Sequence, residues 1–449
     1  MLNRFKRKLS PEQIKQIERD VASADEQEAA WQACGPLIDA QGRQRDAAAC
    51  LVRIVDDAKL SLAHSSQVLH AVLASHPDDW ALLGSMAYAS QAARDIDDLN
   101  AAPPEDDIFV KLVERSHQLL DGVVDTDEEV RLLKGLATAA RMVARQYDDI
   151  AKVSYQRLVE LRPDNAEHHY GLGLFCKTRG RFREGMQANQ TAARLMGTPT
   201  EATTWNLGIC ATGAGEGEVA LEQWLSIDQK ISMGRFDLPE GSYPQCKVRL
   251  AEFPLAERDA SSDRPGLEET IWIERLSPCH GIVRSVLYQN LGLDYGDVIL
   301  MDGAPITTHT YGENTVPVFP HLATLSRRRY HFYDFVGTQS ESDQMWQLGE
   351  ALSADAVIYS HTENYREICT TCYQDPDIDH DEHHADEVQV VQGRIAAPPE
   401  LSAVDLIAEI DAAVRGAGPC RIYSPQLCDA AGLTERVEFE ARRAAMLTT

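Results

Sequence analysis

Apolar residues recur at spacings of three and four through the first half of the chain, and at alternate positions through much of the second. The period changes near Glu268, so a helical part is followed by a part containing β-structure. Ser10-Pro11-Glu12 is a helix start, with Ser as N-cap and Pro in the first helical position. Ile14, Ile17 and Val21 then share one face. Further helical patterns run over about 45–75 and 79–95, with His76-Pro77-Asp78-Asp79-Trp80 as the turn between them. Asn100-Ala-Ala-Pro-Pro-Glu-Asp-Asp107 is a polar break, and helices resume at Ile108. Asp125-Thr-Asp-Glu-Glu129 opens a long helix with acids at its positive end.

The β part begins with the alternation of Thr270-Ile-Trp-Ile-Glu-Arg275. A second strand is expected over 281–288, and a hairpin over 296–306 with Asp302-Gly303 at its turn. Further strands are expected at 330–336, 356–360 and 388–395, and helices at about 341–353, 402–414 and 433–446. The early strands, with short glycine-bearing turns, predict a curved antiparallel sheet or a small barrel. Strands first and helices later give an α+β domain. Between the two parts, residues 231–267 read as a partly irregular connector with a strand near 245–250. The expected organisation is a basic tail at 1–9, a helical domain at 10–230, the connector, and an α+β domain at 268–449.

Within the helical part, Leu132 to Trp224 reads as three helix–turn–helix units with a period of about 34 residues. Small residues recur where helices must cross closely: Ala139, Gly173 and Gly208 at one position, Ala151, Gly185 and Ala220 at another. Gly180 and Gly215 are the turns, Pro163 ends a helix, and Asn165 is placed to cap the next. The middle unit runs from Ala166-Glu-His-His-Tyr-Gly-Leu-Gly-Leu-Phe-Cys through Gly180 to Gly185-Met186. On these residues, the stretch from about 132 to 230 resembles the tetratricopeptide repeat (TPR) family. The resemblance implies a TPR-like α-solenoid whose first helices present an inner face to a peptide or loop. By position, that face carries Tyr170, Leu174 and Lys177 in the middle unit and Trp205 and Ile209 in the last. It is more apolar than a free groove needs. Either a partner fills it or the rest of the chain does.

The charge changes the picture of partners. The 449-residue chain has a net charge of −27, which disfavours phosphate backbones and anionic bilayers and favours a basic protein or peptide. The residues after Met1 lack the apolar run of a signal peptide, and nowhere is there an uninterrupted apolar stretch long enough to span a bilayer. Ten cysteines without a secretion pattern read as reduced thiols or metal ligands, and so as a cytoplasmic protein.

Three constellations carry candidate chemistry. Cys369-Thr-Thr-Cys372 is followed by His380 and His384, a donor set that suits tetrahedral zinc. The alternative is a solvated acidic loop. Cys279, in Pro278-Cys279-His280-Gly281, is a candidate catalytic nucleophile; the alternative is a small buried hydrophobe. Ser326-Arg-Arg-Arg-Tyr330 is the strong basic run in an acidic chain, an anion or partner site or else a solvated strand edge. The reading that follows is a cytoplasmic interaction scaffold or adaptor, one form of which is an acidic inhibitor or immunity-type protein, with a C-terminal binding module. The alternative is an enzyme with a metal- or Cys-dependent C-terminal domain and substrate-recruiting repeats.

Overall fold

The computed structural model describes residues 8–89, 108–143, 145–258, 266–312, 314–353, 355–369, 385–415, 417 and 420–448. The polar break at 100–107 lies outside these residues. The helical region runs through α1 (Pro11–Ala22), α2 (Gln27–Ala33), α3 (Gly35–Gln41), α4 (Arg45–Asp56), α5 (Leu62–Ser75), α6 (Trp80–Ala89) and α7 (Ile108–Leu120). It continues with α8 (Thr126–Met142), α9 (Asp148–Leu161), α10 (Ala166–Thr178), α11 (Phe182–Met196), α12 (Glu201–Gly213) and α13 (Gly217–Ser226).

Local chemistry accounts for the helix ends. Ser10 and Gln13 form a reciprocal capping box at the start of α1. Asp125 caps α8, Asn165 accepts the Glu167 N–H at 2.9 Å to cap α10, and Thr200 caps α12. Close crossings account for the small residues. A Cβ on Gly173 would lie 2.4 Å from the Asn189 amide, and one on Gly208 would lie 2.5 Å from the Trp224 ring. Gly185 faces the Cys210 sulfur, while Ala139, Ala151 and Ala220 are fully buried. Gly180 and Gly215 turn the chain at positive φ, 68° and 73°.

A short hairpin of β1 (Ile231–Met233) and β2 (Pro239–Gly241) follows α13. Then comes a six-stranded sheet: β3 (Cys246–Ala251), β4 (Glu268–Arg275), β5 (His280–Val283), β6 (Val298–Met301), β7 (Thr307–Tyr311) and β8 (Asn314–Ser326). The order β3-β4-β5-β6-β8 closes on itself through a parallel β3–β8 pairing, Lys247 opposite Val318, giving a five-stranded barrel with β7 attached to β8. The first barrel strand therefore falls within the expected connector. The expected 296–306 hairpin is a turn only: β6 and β7 do not pair with each other, and each pairs with β8.

The third part is a four-stranded sheet, order β10-β11-β9-β12, from β9 (His331–Gln339), β10 (Val357–Cys369), β11 (Ala385–Ala397) and β12 (Arg421–Tyr423). It packs with α14 (Gln344–Glu350), α15 (Ala403–Arg415), α16 (Pro425–Ala430) and α17 (Thr434–Thr448) around Phe335, Leu348, Ile395, Leu406 and Leu427. The multidomain α-then-β architecture is as expected, with a closed barrel in place of the open alternative.

The continuous apolar run of β6, Val298-Ile-Leu-Met301, shows where the parts meet. All four side chains are fully buried. Ile299 and Met301 point into the barrel core, while Leu300 joins a second core with Leu207, Ile209, Cys210 and Trp224 from the helices. A strand buried on both faces reads as an unbroken apolar segment. Here one face fills the barrel and the other seals it to α12 and α13.

Candidate functional site

Two places bring the candidate residues together. The first is the inner face of α10 and α12. The Lys177 ammonium lies 2.8 Å from the Asp302 carboxylate, and their side chains are only 5% and 16% exposed. Asp302 also accepts the Gly303 N–H, which fixes the turn between β6 and β7. Gly303 seats this turn against Trp205, since a Cβ there would sit 2.6 Å from the indole. Ile209 is buried in the shared core, and Leu174 and Tyr170 are half-buried, with the Tyr170 hydroxyl accepting from the Asn206 amide. Arg145, on the same side, donates to the carbonyls of Thr178 and Leu255. Burial, reinforced by the neighbouring Arg179, pulls its guanidinium down to about 10. Of the five inner-face residues, Lys177, Trp205 and Ile209 are thus engaged by the chain's own barrel.

Cys279 lies in the same interface. It has no exposed surface, and its thiol is 3.5 Å from the Thr212 hydroxyl. Burial pushes the thiol up to about 11, the opposite of what a nucleophile needs. The Ser277 hydroxyl accepts the N–H groups of Cys279 and His280 and contacts His280 Nδ1 at 2.5 Å. It is a buried turn clasp, closed to substrate. By its surroundings Cys279 is a small core hydrophobe.

Cys369 is the last residue of β10, opposite Ala385 on β11. Cys372, His380 and His384 lie outside the described residues. Among the described residues, no group of three or more His, Cys, Asp or Glu is arranged to hold a metal ion.

The second place is a cleft of about 560 Å³ between the barrel and the C-terminal sheet, which sequence reasoning touched only through the arginine run. Its floor is the 284–297 loop, and its rim is the four-residue link from β8 to β9, Arg327 to Tyr330. Three joints clamp the two units around it. Arg284 bridges Glu274 of β4 at 2.8 Å and Asp355 at 3.1 Å, and the Tyr330 hydroxyl donates to the same Asp355 at 2.8 Å. Burial opposes ionisation of Asp355, yet these two partners hold its carboxyl below the usual value. Arg394 of β11 reaches Asp294 at 2.9 Å and the Leu287 carbonyl at 2.9 Å, and stacks on Phe332. Tyr288 stacks on His361 at 4.0 Å, and His361 Nε2 contacts the Val286 carbonyl at 3.0 Å. Gly296, at φ 87°, leaves room for the Tyr330 ring, which would lie 2.5 Å from any Cβ there.

The acids lining the cleft are spent on its own frame. Asp294 accepts from the N–H groups of Leu287 and Tyr295 besides pairing with Arg394. Asp297 accepts from the N–H groups of Asp294 and Arg328. Burial raises both carboxyls above their ordinary value. Arg327, Arg328 and Arg329 are exposed, and Arg329 holds a left-handed backbone at φ 57°. Such backbone strain in a non-glycine residue clusters at functional sites.

The fold and site thus define a multidomain chain: a helical region sealed to a closed barrel, and a C-terminal sheet unit clamped to that barrel around a polar cleft. No family model matches the chain, and no curated protein matches it. Two solved structures of MamA are similar to part of it. One, from AMB-1, is 16% identical, spans 40% of this chain and 90% of its own, and has a TM-score of 0.28. The other is 15% identical, spans 38% and 88%, and has a TM-score of 0.27.

Proposed function

We propose that the chain is a protein-interaction adaptor. The observation that supports this reading is the stacked helix pairs α8 to α13, with small residues such as Gly173, Gly208 and Ala220 at their crossings, an arrangement suited to holding a loop or peptide. Lys177, Trp205 and Ile209 on its inner face already hold the barrel's Asp302–Gly303 turn. The helices and barrel then form one platform, and a protein or peptide partner docks on its outer surface. The net charge of −27 favours a basic partner, which would be steered in and released by salt. An acidic inhibitor or immunity-type protein is one form of this function. Eight buried cysteines, among them Cys34, Cys176 and Cys420, are free thiols, which supports work in the reducing cytoplasm. Fractionation of native extracts tests the reading. The chain should migrate in an assembly larger than itself, and high salt should reduce it to its own size. Migration alone at every salt concentration would sink the idea.

A second reading adds a structural zinc. The β10–β11 register brings Cys369 opposite Ala385, the sequence neighbour of His384, so the two ends of the Cys/His segment start side by side. Two thiolates and two imidazoles would saturate the ion and leave no open position for catalysis.

A further inference from the structure

We propose that the cleft between the barrel and the C-terminal sheet binds a small phosphorylated ligand carrying a planar ring, a nucleotide in its simplest form, with the phosphate on Arg327 and Arg329 and the ring against Tyr288. The argument starts from charge. In a chain with 70 acids and 43 Lys or Arg, exposed arginines find carboxylates easily. Arg394, which lines the cleft, and Arg284, at the start of the loop that floors it, each hold one. Arg327 and Arg329 also line it, and among the described residues neither guanidinium has an ion pair or hydrogen bond. The acids of the cleft hold other groups: Asp294 and Asp297 accept backbone N–H groups, and Asp294 and Asp334 pair with Arg394, so that Asp297 meets Arg327 only through its charge at a distance. Planar guanidinium forks match the oxygens of a phosphate, and two on one short link favour a multiply charged anion over a single carboxylate.

The rest of the site fits the remainder of such a ligand. The cleft volume of about 560 Å³ is that of a small-molecule site at a domain junction. Tyr288 is stacked on His361 yet remains 63% exposed, so part of its ring is open to stack a base. Beyond Tyr288, Asp334 and Arg394 a second compartment of about 550 Å³ adjoins the first. There the amide of Gln392 offers a donor and an acceptor that can read the edge of a ring. The left-handed backbone at Arg329 sits within the arginine rim. Because the rim is the link between β8 and β9, an occupied cleft would tie the C-terminal unit more tightly to the barrel.

The test is calorimetric titration of the full chain with AMP, GMP and UMP, with inorganic phosphate, adenosine and a polyglutamate peptide alongside. At least one nucleotide should bind saturably, with phosphate weaker and adenosine weaker still. R327A/R329A should lose at least about tenfold in affinity, R327K/R329K an intermediate amount, and Tyr288→Ala should lose nucleotide affinity but not phosphate affinity. The two arginine variants change exposed side chains, and unchanged melting temperatures would show that they fold; Tyr288→Ala also removes the stack on His361, so its retained phosphate affinity is the control for its fold. Three results would overturn the proposal: no saturable nucleotide binding at millimolar concentration, nucleotide binding indifferent to R327A/R329A, or arginine-dependent binding of polyglutamate alone. The adaptor reading is judged by native fractionation, so the two stand or fall separately.

Discussion

Lys177 and Asp302, 125 residues apart in sequence, meet at 2.8 Å in a nearly dry interface between the helical region and the barrel. Removing one member strands a buried charge, while removing both leaves a neutral contact. Lys177→Ala should therefore cost about 3–5 kcal/mol in urea unfolding, whereas K177M combined with D302N should recover most of the loss. Asn at 302 keeps the acceptor for the Gly303 N–H. Because the two parts share a core, tryptophan fluorescence and far-UV circular dichroism should report one transition for helices and barrel. Separate transitions would show that the interface is not cooperative.

Gly303 tests the same contact by shape. Gly303→Ala places a methyl group 2.6 Å from the Trp205 ring and should destabilise by about 1–3 kcal/mol. Trp205→Leu makes room but loses the edge contact with Trp224, whose ring centroid lies 5.2 Å away. The double variant should be more stable than the sum of the single losses by at least about 0.5 kcal/mol. Strict additivity would show that the two residues do not touch in solution.

Two buried histidines set an acid limit. Burial pushes His280 and His321 from 6.5 down to about 4. Between these values the unfolded chain takes up protons that the native rings refuse, so stability falls as pH falls through 6.5 and levels off near 4. Each ring contributes up to about 1.4 kcal/mol per pH unit in that window. Asp294 and Asp297, raised by burial, act in the opposite sense just above 3.8 and offset part of the loss at the acid end. Urea midpoints between pH 6.5 and 4 should fall steeply for the wild type and less steeply for H280Q/H321Q. Equal slopes would mean that the rings are protonated in the fold.

The zinc proposal predicts a stoichiometric metal in protein purified without chelator, measured by atomic absorption. C372S should abolish it, since one lost thiolate breaks the tetrahedral set. Less than about half an equivalent in the wild type, or metal retained in the variant, would remove the site.

Much of the helical region was legible because its signals are local. Caps at Ser10, Asp125 and Asn165 depend on residues two or three positions away, and close crossings demand small side chains at Gly173, Gly208 and Ala220 whatever lies beyond. The barrel was half legible. Alternation located β4, β9 and β11, but β6 and β7 looked like one hairpin because Asp302-Gly303 has the composition of a tight turn. Their true partner, β8, lies farther along the chain, and closure by the parallel β3–β8 pair has no local signature. The cleft was visible only as three consecutive arginines; the loop, strand and tyrosine that face them come from positions 288 to 394.

By itself, then, the sequence determined the helices, most strands, the acidic surface and the apolar inner face at Lys177, Trp205 and Ile209. Those properties follow from periodicity, capping and composition, which act over a few residues. Only the tertiary structure decided what covers that face and which residues line the cleft with Arg327 and Arg329. Both depend on contacts between residues far apart in sequence. An inner face with a lysine among apolar side chains suits a partner's loop and the chain's own loop equally well. Asp302 decides between them because the closed barrel carries it, with Gly303, directly onto Lys177 and Trp205.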